Sequence, residues 1–267
     1  MSDSRRIAAA FRGHGRRAAL MPYLMGGFPD LAGSQRIGQA YVDGGADLIE
    51  LGVPYSDPLA DGPVIHDAGT RALASGATVE GVLEVGAELA ASGCPIVVMC
   101  YANLVLARGP ERFAGALAEA GVSGLIVPDL PLEEASETLA ACDARDVALV
   151  PLVAPTTTEQ RLAAIGERAR GFLYAVSVTG TTGERQALSA RFAEVVTRAR
   201  SHTAVPVALG FGIATAEQAR EAADAGADGV IVGSRLVRAA AEAADAGGDP
   251  AVAVGEILAS LAGGLAP

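Results

Sequence analysis

Glu50, Asp57 and Asp61 fall in one stretch, Leu48-Ile-Glu-Leu-Gly-Val-Pro-Tyr-Ser-Asp-Pro-Leu-Ala-Asp-Gly-Pro63, in two different settings. Asp47-Leu-Ile-Glu-Leu reads as a buried strand, where a glutamate is costly unless it is paired, protonated or used. Gly52, Pro54, Pro58, Gly62 and Pro63 keep the next segment out of helix and strand, so Asp57 and Asp61 ride on a long, constrained loop. In parallel α/β folds catalytic groups sit at such strand C-terminal ends. Glu50 and Asp61 are the expected working pair. The structural alternatives are a Glu50 paired with an arginine and aspartates that only cap turns.

The elements that must position this pair follow from a loose internal repeat. A helix end, a glycine, small or acidic residues and a short apolar run recur at Gly44-Gly-Ala-Asp-Leu-Ile-Glu, Ala120-Gly-Val-Ser-Gly-Leu-Ile-Val-Pro-Asp and Ala225-Gly-Ala-Asp-Gly-Val-Ile-Val-Gly-Ser. Each copy marks a helix C-cap followed by a parallel strand. Eight strands are expected, near Leu20–Met25, Leu48–Leu51, Ile96–Tyr101, Leu125–Val127, Ala148–Val153, Phe172–Val176, Val207–Leu209 and Val230–Val232. Amphipathic stretches lie between them, such as Glu111–Glu119 and Glu159–Arg168. Eight such units in 267 residues favour an α/β fold closed as a (β/α)₈ TIM barrel, one domain over residues 1–267. Ser4–Arg12, with Ile7 and Phe11 four apart, reads as an extra N-terminal helix across the barrel's bottom.

On that frame other polar residues fall at strand C-terminal ends: Tyr101 and Asn103 after the third strand and Asp129 after the fourth. Ser177-Val-Thr-Gly-Thr-Thr-Gly-Glu-Arg185 resembles a mobile lid or phosphate loop. Gly210-Phe-Gly212 follows the seventh strand, and Gly233-Ser234 opens a helix after the eighth. In barrels these are the places where backbone N–H groups hold phosphate. Tyr23, Tyr101, Tyr174 and Phe211 have core or rim packing as their alternative. His66 reads as a plain polar loop residue.

Composition narrows the chemistry. A net charge of -11 argues against nucleic acid and anionic membranes, and a phosphate held by N–H groups suits an acidic chain. No apolar run is long enough to span a membrane. Ala18–Gly27 contains Pro22 and is short for a signal peptide, although Arg5, Arg6, Arg16 and Arg17 precede it, so a cytoplasmic location is expected. Cys94, Cys100 and Cys142 read as reduced, buried thiols. All 20 basic residues are arginine, which removes a Schiff-base aldolase, an enzyme with its own pyridoxal-phosphate lysine and a lysine P-loop. His14, His66 and His202 are too scattered to suggest a metal site.

Leu51-Gly-Val-Pro-Tyr-Ser-Asp-Pro-Leu-Ala-Asp-Gly-Pro63, Tyr101-Ala-Asn103, Pro128-Asp-Leu-Pro131, Gly180-Thr-Thr-Gly183, Gly210-Phe-Gly212 and Gly233-Ser234 together resemble the α-subunit family of tryptophan synthase, from Pro22 to about Val237. The resemblance implies retro-aldol cleavage of indole-3-glycerol phosphate to indole and glyceraldehyde 3-phosphate. Glu50 would be the general acid and base, and Asp61 would stay ionised beside the indole N–H. Burial at an apolar strand end raises one pKa while a polar loop keeps the other carboxyl charged. By the same resemblance Tyr23, Met99, Tyr101, Ile126 and Tyr174 would line the substrate site, and Gly183, Gly210, Phe211, Gly212, Gly233 and Ser234 would surround the phosphate. Thr182 would meet the aspartate on lid closure, and Asp57 would contact a partner. Thr181 and Met25-Gly26 depart from the family's common residues. The implied partner is a β-subunit in an α2β2 complex that carries the pyridoxal phosphate, with no cofactor or metal in this chain.

The rivals are another phosphate-binding barrel, such as indole-3-glycerol phosphate synthase or a phosphoribosyl isomerase, and a non-catalytic activating subunit. The synthase normally needs a catalytic lysine. A two-carboxylate glycosidase fits poorly with no tryptophan and 4% aromatic residues.

Overall fold

Short apolar runs buried on both faces are the mark of parallel strands covered by helices, and the computed structural model, which describes residues 3–176, 185–210 and 212–267, builds them so. Nine strand segments occur among the described residues: β1 (Ala19–Met25), β2 (Ile49–Gly52), β3 (Ile96–Met99), β4 (Gly124–Ile126), β5 (Ala148–Val150), β6 (Leu152–Val153), β7 (Leu173–Val176), β8 (Val207–Gly210) and β9 (Gly229–Val232). The helices are α1 (Asp3–Ala10), α2 (Leu31–Asp43), α3 (Pro63–Ala74), α4 (Val79–Ala90), α5 (Ala102–Arg108), α6 (Pro110–Glu119), α7 (Ser136–Asp143), α8 (Glu159–Arg168), α9 (Arg185–Arg200), α10 (Ala216–Asp224), α11 (Ser234–Asp245) and α12 (Pro250–Gly264).

All strand pairs are parallel, in the order β5-β4-β3-β2-β1-β9-β8-β7-β6. The two ends of that order are consecutive in the chain and separated by Pro151 alone, so the sheet closes into a (β/α)₈ barrel. Nine segments stand where eight strands are expected because Pro151 has no N–H to give the ladder; its carbonyl still accepts from Tyr174 N at 3.0 Å. A second difference is at the third strand, which stops at Met99. Tyr101 is the N-cap of α5, so the chain has already turned.

Helix starts follow local chemistry. Asp30, Thr78, Thr158, Thr215 and Asp249 cap α2, α4, α8, α10 and α12 through their side chains, and Pro63, Pro110 and Pro250 open α3, α6 and α12. At the repeated αβ junctions Gly45 and Gly226 take φ of 80° and 93°, a conformation that favours glycine.

Period-two alternation sorts each strand between two cores. Ile49, Leu51, Val98 and Leu125 face the helix layer, whereas Met21, Leu48, Val97, Ile126, Tyr174 and Ile231 form the barrel interior. Ile7 of α1 and Phe11 just beyond it join that interior, with the Phe11 and Phe172 rings 5.6 Å apart, so the N-terminal helix closes the bottom as expected. The top is left for polar side chains.

Candidate active site

Leu48 faces the interior, so Glu50, two residues on, faces it one layer higher; β2 sets it in register with Tyr23 of β1 and Val97 of β3. Its residue is only 2% exposed, and among the described residues its buried Oε2 has no hydrogen-bond partner. Burial pushes the carboxyl up to about 8, with the Asp61 charge adding to the rise and the Tyr174 hydroxyl opposing it. Glu50 therefore holds its proton at neutral pH. No arginine pairs with it among the described residues, which removes the structural alternative.

Asp61 ends the loop after β2, just before Gly62 and the proline that opens α3. Tyr101 Oη donates to its Oδ1 at 2.9 Å and accepts from Ala60 N at 3.0 Å, which ties the loop to the third strand's end. Asp61 is less solvated than a polar loop suggests. Burial raises its pKa, while the Tyr101 hydrogen bond and positive charge on His66 work against the rise. That corrects the reading of His66: it lies on the opening turn of α3, not in a loop, and acts on the aspartate. Pro63, a helix-opening residue five positions after Pro58, was the signal for it.

Tyr55 is a contact that the sequence reading missed. Its ring stacks on Tyr101 at 5.4 Å, and its hydroxyl accepts from Asn103 Nδ2 at 2.8 Å. Asp57 sits apart from the carboxyl pair, exposed, with Ser56 Oγ donating to it at 2.5 Å. Asp129 serves α5 instead: its Oδ1 accepts from Ala102 N at 2.8 Å.

Around Glu50 the interior is closed by Met99, Ile126 and Tyr174, which the ladder from β2 through β4 and the inner core bring together. Two glycines make room for tyrosines. A Cβ built on Gly52 would overlap the Tyr23 hydroxyl, and one on Gly210 would lie 2.5 Å from the Tyr174 ring and hydroxyl. Gly233 is the N-cap residue of α11 and Ser234 its exposed first residue, and a Cβ built on Gly233 would lie 3.5 Å from the Tyr23 Cβ, so this helix start lies beside Tyr23. Gly212, two residues after Gly210, has φ of 50°. Phe211, Thr182 and Gly183 lie outside the described residues.

A cavity of about 450 Å³ opens elsewhere, between the loop after β4 and α8, walled by Leu130, Leu132, Leu152, Arg161 and Arg168. It includes neither Glu50 nor Asp61. The carboxyl pair, with Glu50 pushed up to about 8 and Asp61 tied to the Tyr101 hydroxyl, is the stronger candidate for chemistry than that cavity. No helix among the described residues is long and apolar enough to cross a membrane, and no cluster of three metal-ligating side chains occurs among them.

Fold and site together define a (β/α)₈ barrel with a buried glutamate and a neighbouring aspartate at the C-terminal end of its second strand, and glycines at the ends of its last two. The family model for the tryptophan synthase alpha chain matches residues 11–259. A tryptophan synthase alpha chain of Prochlorococcus marinus (strain MIT 9313) is 51% identical over 223 residues, 83% of this chain and 81% of that one. Tryptophan synthase of Mycobacterium tuberculosis superposes with a TM-score of 0.88 at 41% identity, covering 98% of both chains. The tryptophan synthase a2b2 complex of Pyrococcus furiosus gives 0.87 at 33% identity, over 94% of this chain and 99% of that one. The chain belongs to the tryptophan synthase alpha chain family.

Proposed function

We propose that this chain cleaves indole-3-glycerol phosphate to indole and glyceraldehyde 3-phosphate in tryptophan biosynthesis. The observation that carries the reading is a buried glutamic acid with no arginine on it among the described residues, its pKa pushed up to about 8, beside an aspartate whose smaller upward shift from burial is opposed by the Tyr101 hydroxyl and His66. Glu50 gives its proton to indole C3. The positive charge spreads to the ring N–H, where Asp61 meets it. The bond between C3 and the glycerol carbon then breaks, its electrons restore the indole, and the Glu50 carboxylate takes the proton of that carbon's hydroxyl as the aldehyde forms. One proton is lent and one recovered.

Tyr23, Met99, Tyr101, Ile126 and Tyr174 enclose the indole and its chain, with Gly210, Gly212, Gly233 and Ser234 at the phosphate, joined there by Gly183 and Phe211; Thr182 meets Asp61 on closure. The residues act as one barrel domain, in the cytoplasm, with neither metal nor cofactor. Asp57 and the exposed Leu59 beside it contact a β-subunit that carries pyridoxal phosphate, in an α2β2 complex. Indole release from indole-3-glycerol phosphate, with and without a β-subunit, tests this. Turnover is expected alone and faster in the complex; no indole in either condition would leave the chain an activating subunit without chemistry of its own.

A further inference from the structure

Tyr23 is buried down to its hydroxyl, and what surrounds that hydroxyl is odd for a residue whose ring alone would fill the space. Its recorded partner is the Met25 sulfur at 3.9 Å, a weak acceptor. A buried hydroxyl so poorly matched is a cost that phenylalanine would avoid. The chain also keeps Gly52 where any Cβ would strike that oxygen. The same Cβ would lie 2.6 Å from the ring's Cζ and 2.9 Å from its Cε2, so Gly52 makes room for the whole tip of the side chain, and the weak sulfur partner alone sets the hydroxyl apart.

The location indicates what the oxygen is for. Tyr23 pairs with Glu50 across β1 and β2, and its neighbour Pro22 pairs with Val232 across β1 and β9. The root of the side chain lies against Gly233, where a built Cβ would be 3.5 Å from the Tyr23 Cβ. The tip lies at Gly52, close enough to both carboxyls that their charges, after burial, oppose its ionisation. The side chain therefore runs from the start of α11, where the phosphate is proposed above, to the carboxyl pair, beside the path of whatever links a phosphate to the reacting carbon. Given the substrate proposed above, that link is a three-carbon chain bearing hydroxyl groups.

We propose that the Tyr23 hydroxyl is a specificity-determining contact, a hydrogen-bond partner for a chain hydroxyl of the substrate between its phosphate and its indole ring. It stays protonated throughout and moves no proton; it orients the carbon whose bond to indole breaks. Binding to a substrate hydroxyl supplies the partner that the folded chain withholds.

The test compares wild type with Tyr23→Phe in the assembled complex, measuring kcat and KM for indole-3-glycerol phosphate and the inhibition constant of indole-3-propanol phosphate, which has the ring and phosphate but no chain hydroxyls. The expected result is a loss of roughly 10- to 100-fold in kcat/KM with the inhibition constant unchanged within about twofold. Met25→Leu, which removes only the sulfur partner, should leave both within about twofold. An equal loss for substrate and deoxy analogue would show that the ring's packing was disturbed, and near-normal kcat/KM would show that the hydroxyl is idle; either overturns the inference. A Tyr23→Phe chain that fails to fold, judged by its thermal melt against Met25→Leu, would assign the hydroxyl to stability and overturn it as well. A wild type that makes no indole would instead remove the cleavage reading beneath it.

Discussion

The two ends of this barrel hold the same kind of charged group and treat it in opposite ways. At the bottom, Asp47 accepts from Leu20 N at 2.8 Å and pairs with Arg16 at 2.5 Å, while Asp228 accepts from Val207 N at 2.8 Å and pairs with Arg200. Each aspartate pins an N–H at the start of a neighbouring strand, Leu20 in β1 or Val207 in β8, and has its charge paired with an arginine. At the top, Glu50 and Asp61 meet tyrosine hydroxyls and each other, with no arginine on either among the described residues. A paired carboxylate is spent on the fold, whereas an unpaired one in a desolvated setting keeps its energy for a ligand. Glycines sharpen the contrast, since those at the bottom shape turns and Gly52 and Gly210 at the top clear space for functional side chains.

Substitutions at the two ends should break this symmetry in opposite observables. Glu50→Gln should lower kcat by about 10²- to 10⁴-fold, read as indole release, because the proton donor is gone. The same variant tests the burial of that proton. The folded chain keeps a proton that the unfolded chain loses, so Glu50's contribution to stability is full below about pH 4.5 and is lost as pH rises to about 8. Relative to Glu50→Gln, wild-type denaturant stability should therefore decline across that window and level off above it; a difference independent of pH would mean an ionised Glu50.

Asp61→Asn should cost on the order of 10²-fold in kcat, since a neutral amide cannot match a developing positive charge, with little change in melting temperature. Asp47→Asn should do the reverse, leaving kcat intact while urea unfolding shows a loss of about 1–3 kcal/mol from a half-buried ion pair and a strand-pinning acceptor. A large kcat effect there would erase the distinction between the ends. The smallest change is Tyr101→Phe, with a loss of roughly 2- to 10-fold in kcat. Removing the hydrogen bond that lowers the Asp61 pKa should also move the acid limb of the pH–rate profile upward. An unmoved limb would mean that Tyr101 only packs.

Much of the fold was legible because its cues are local. The glycine before Asp47 and before Asp228 ends a helix wherever it stands, period-two apolar runs make strands, and the proline-rich loop after Glu50 has no regular alternative. The limits were local too. Pro151 was absorbed into one strand by composition, and Tyr101 was placed at a strand end although it caps the next helix. The site was legible as a set of residue types, through the Glu50–Asp61 loop, more than as a set of contacts. Tyr55 and His66 went unread because their partners, Tyr101 and Asp61, reach them only when the loop after β2 folds over α3 and the third strand's end.

The sequence by itself determined the alternating barrel, the carboxyl pair at one strand's end and the absence of any lysine chemistry, all of which depend on residue type and short spacing. Only the tertiary structure decided that Glu50 would find no cation, that Asp61 would be held by a phenol and that one tyrosine oxygen would be left nearly unmatched. Proton affinity and hydrogen-bond satisfaction are set by what surrounds an atom within a few ångströms, and here those neighbours come from strands far apart in the chain.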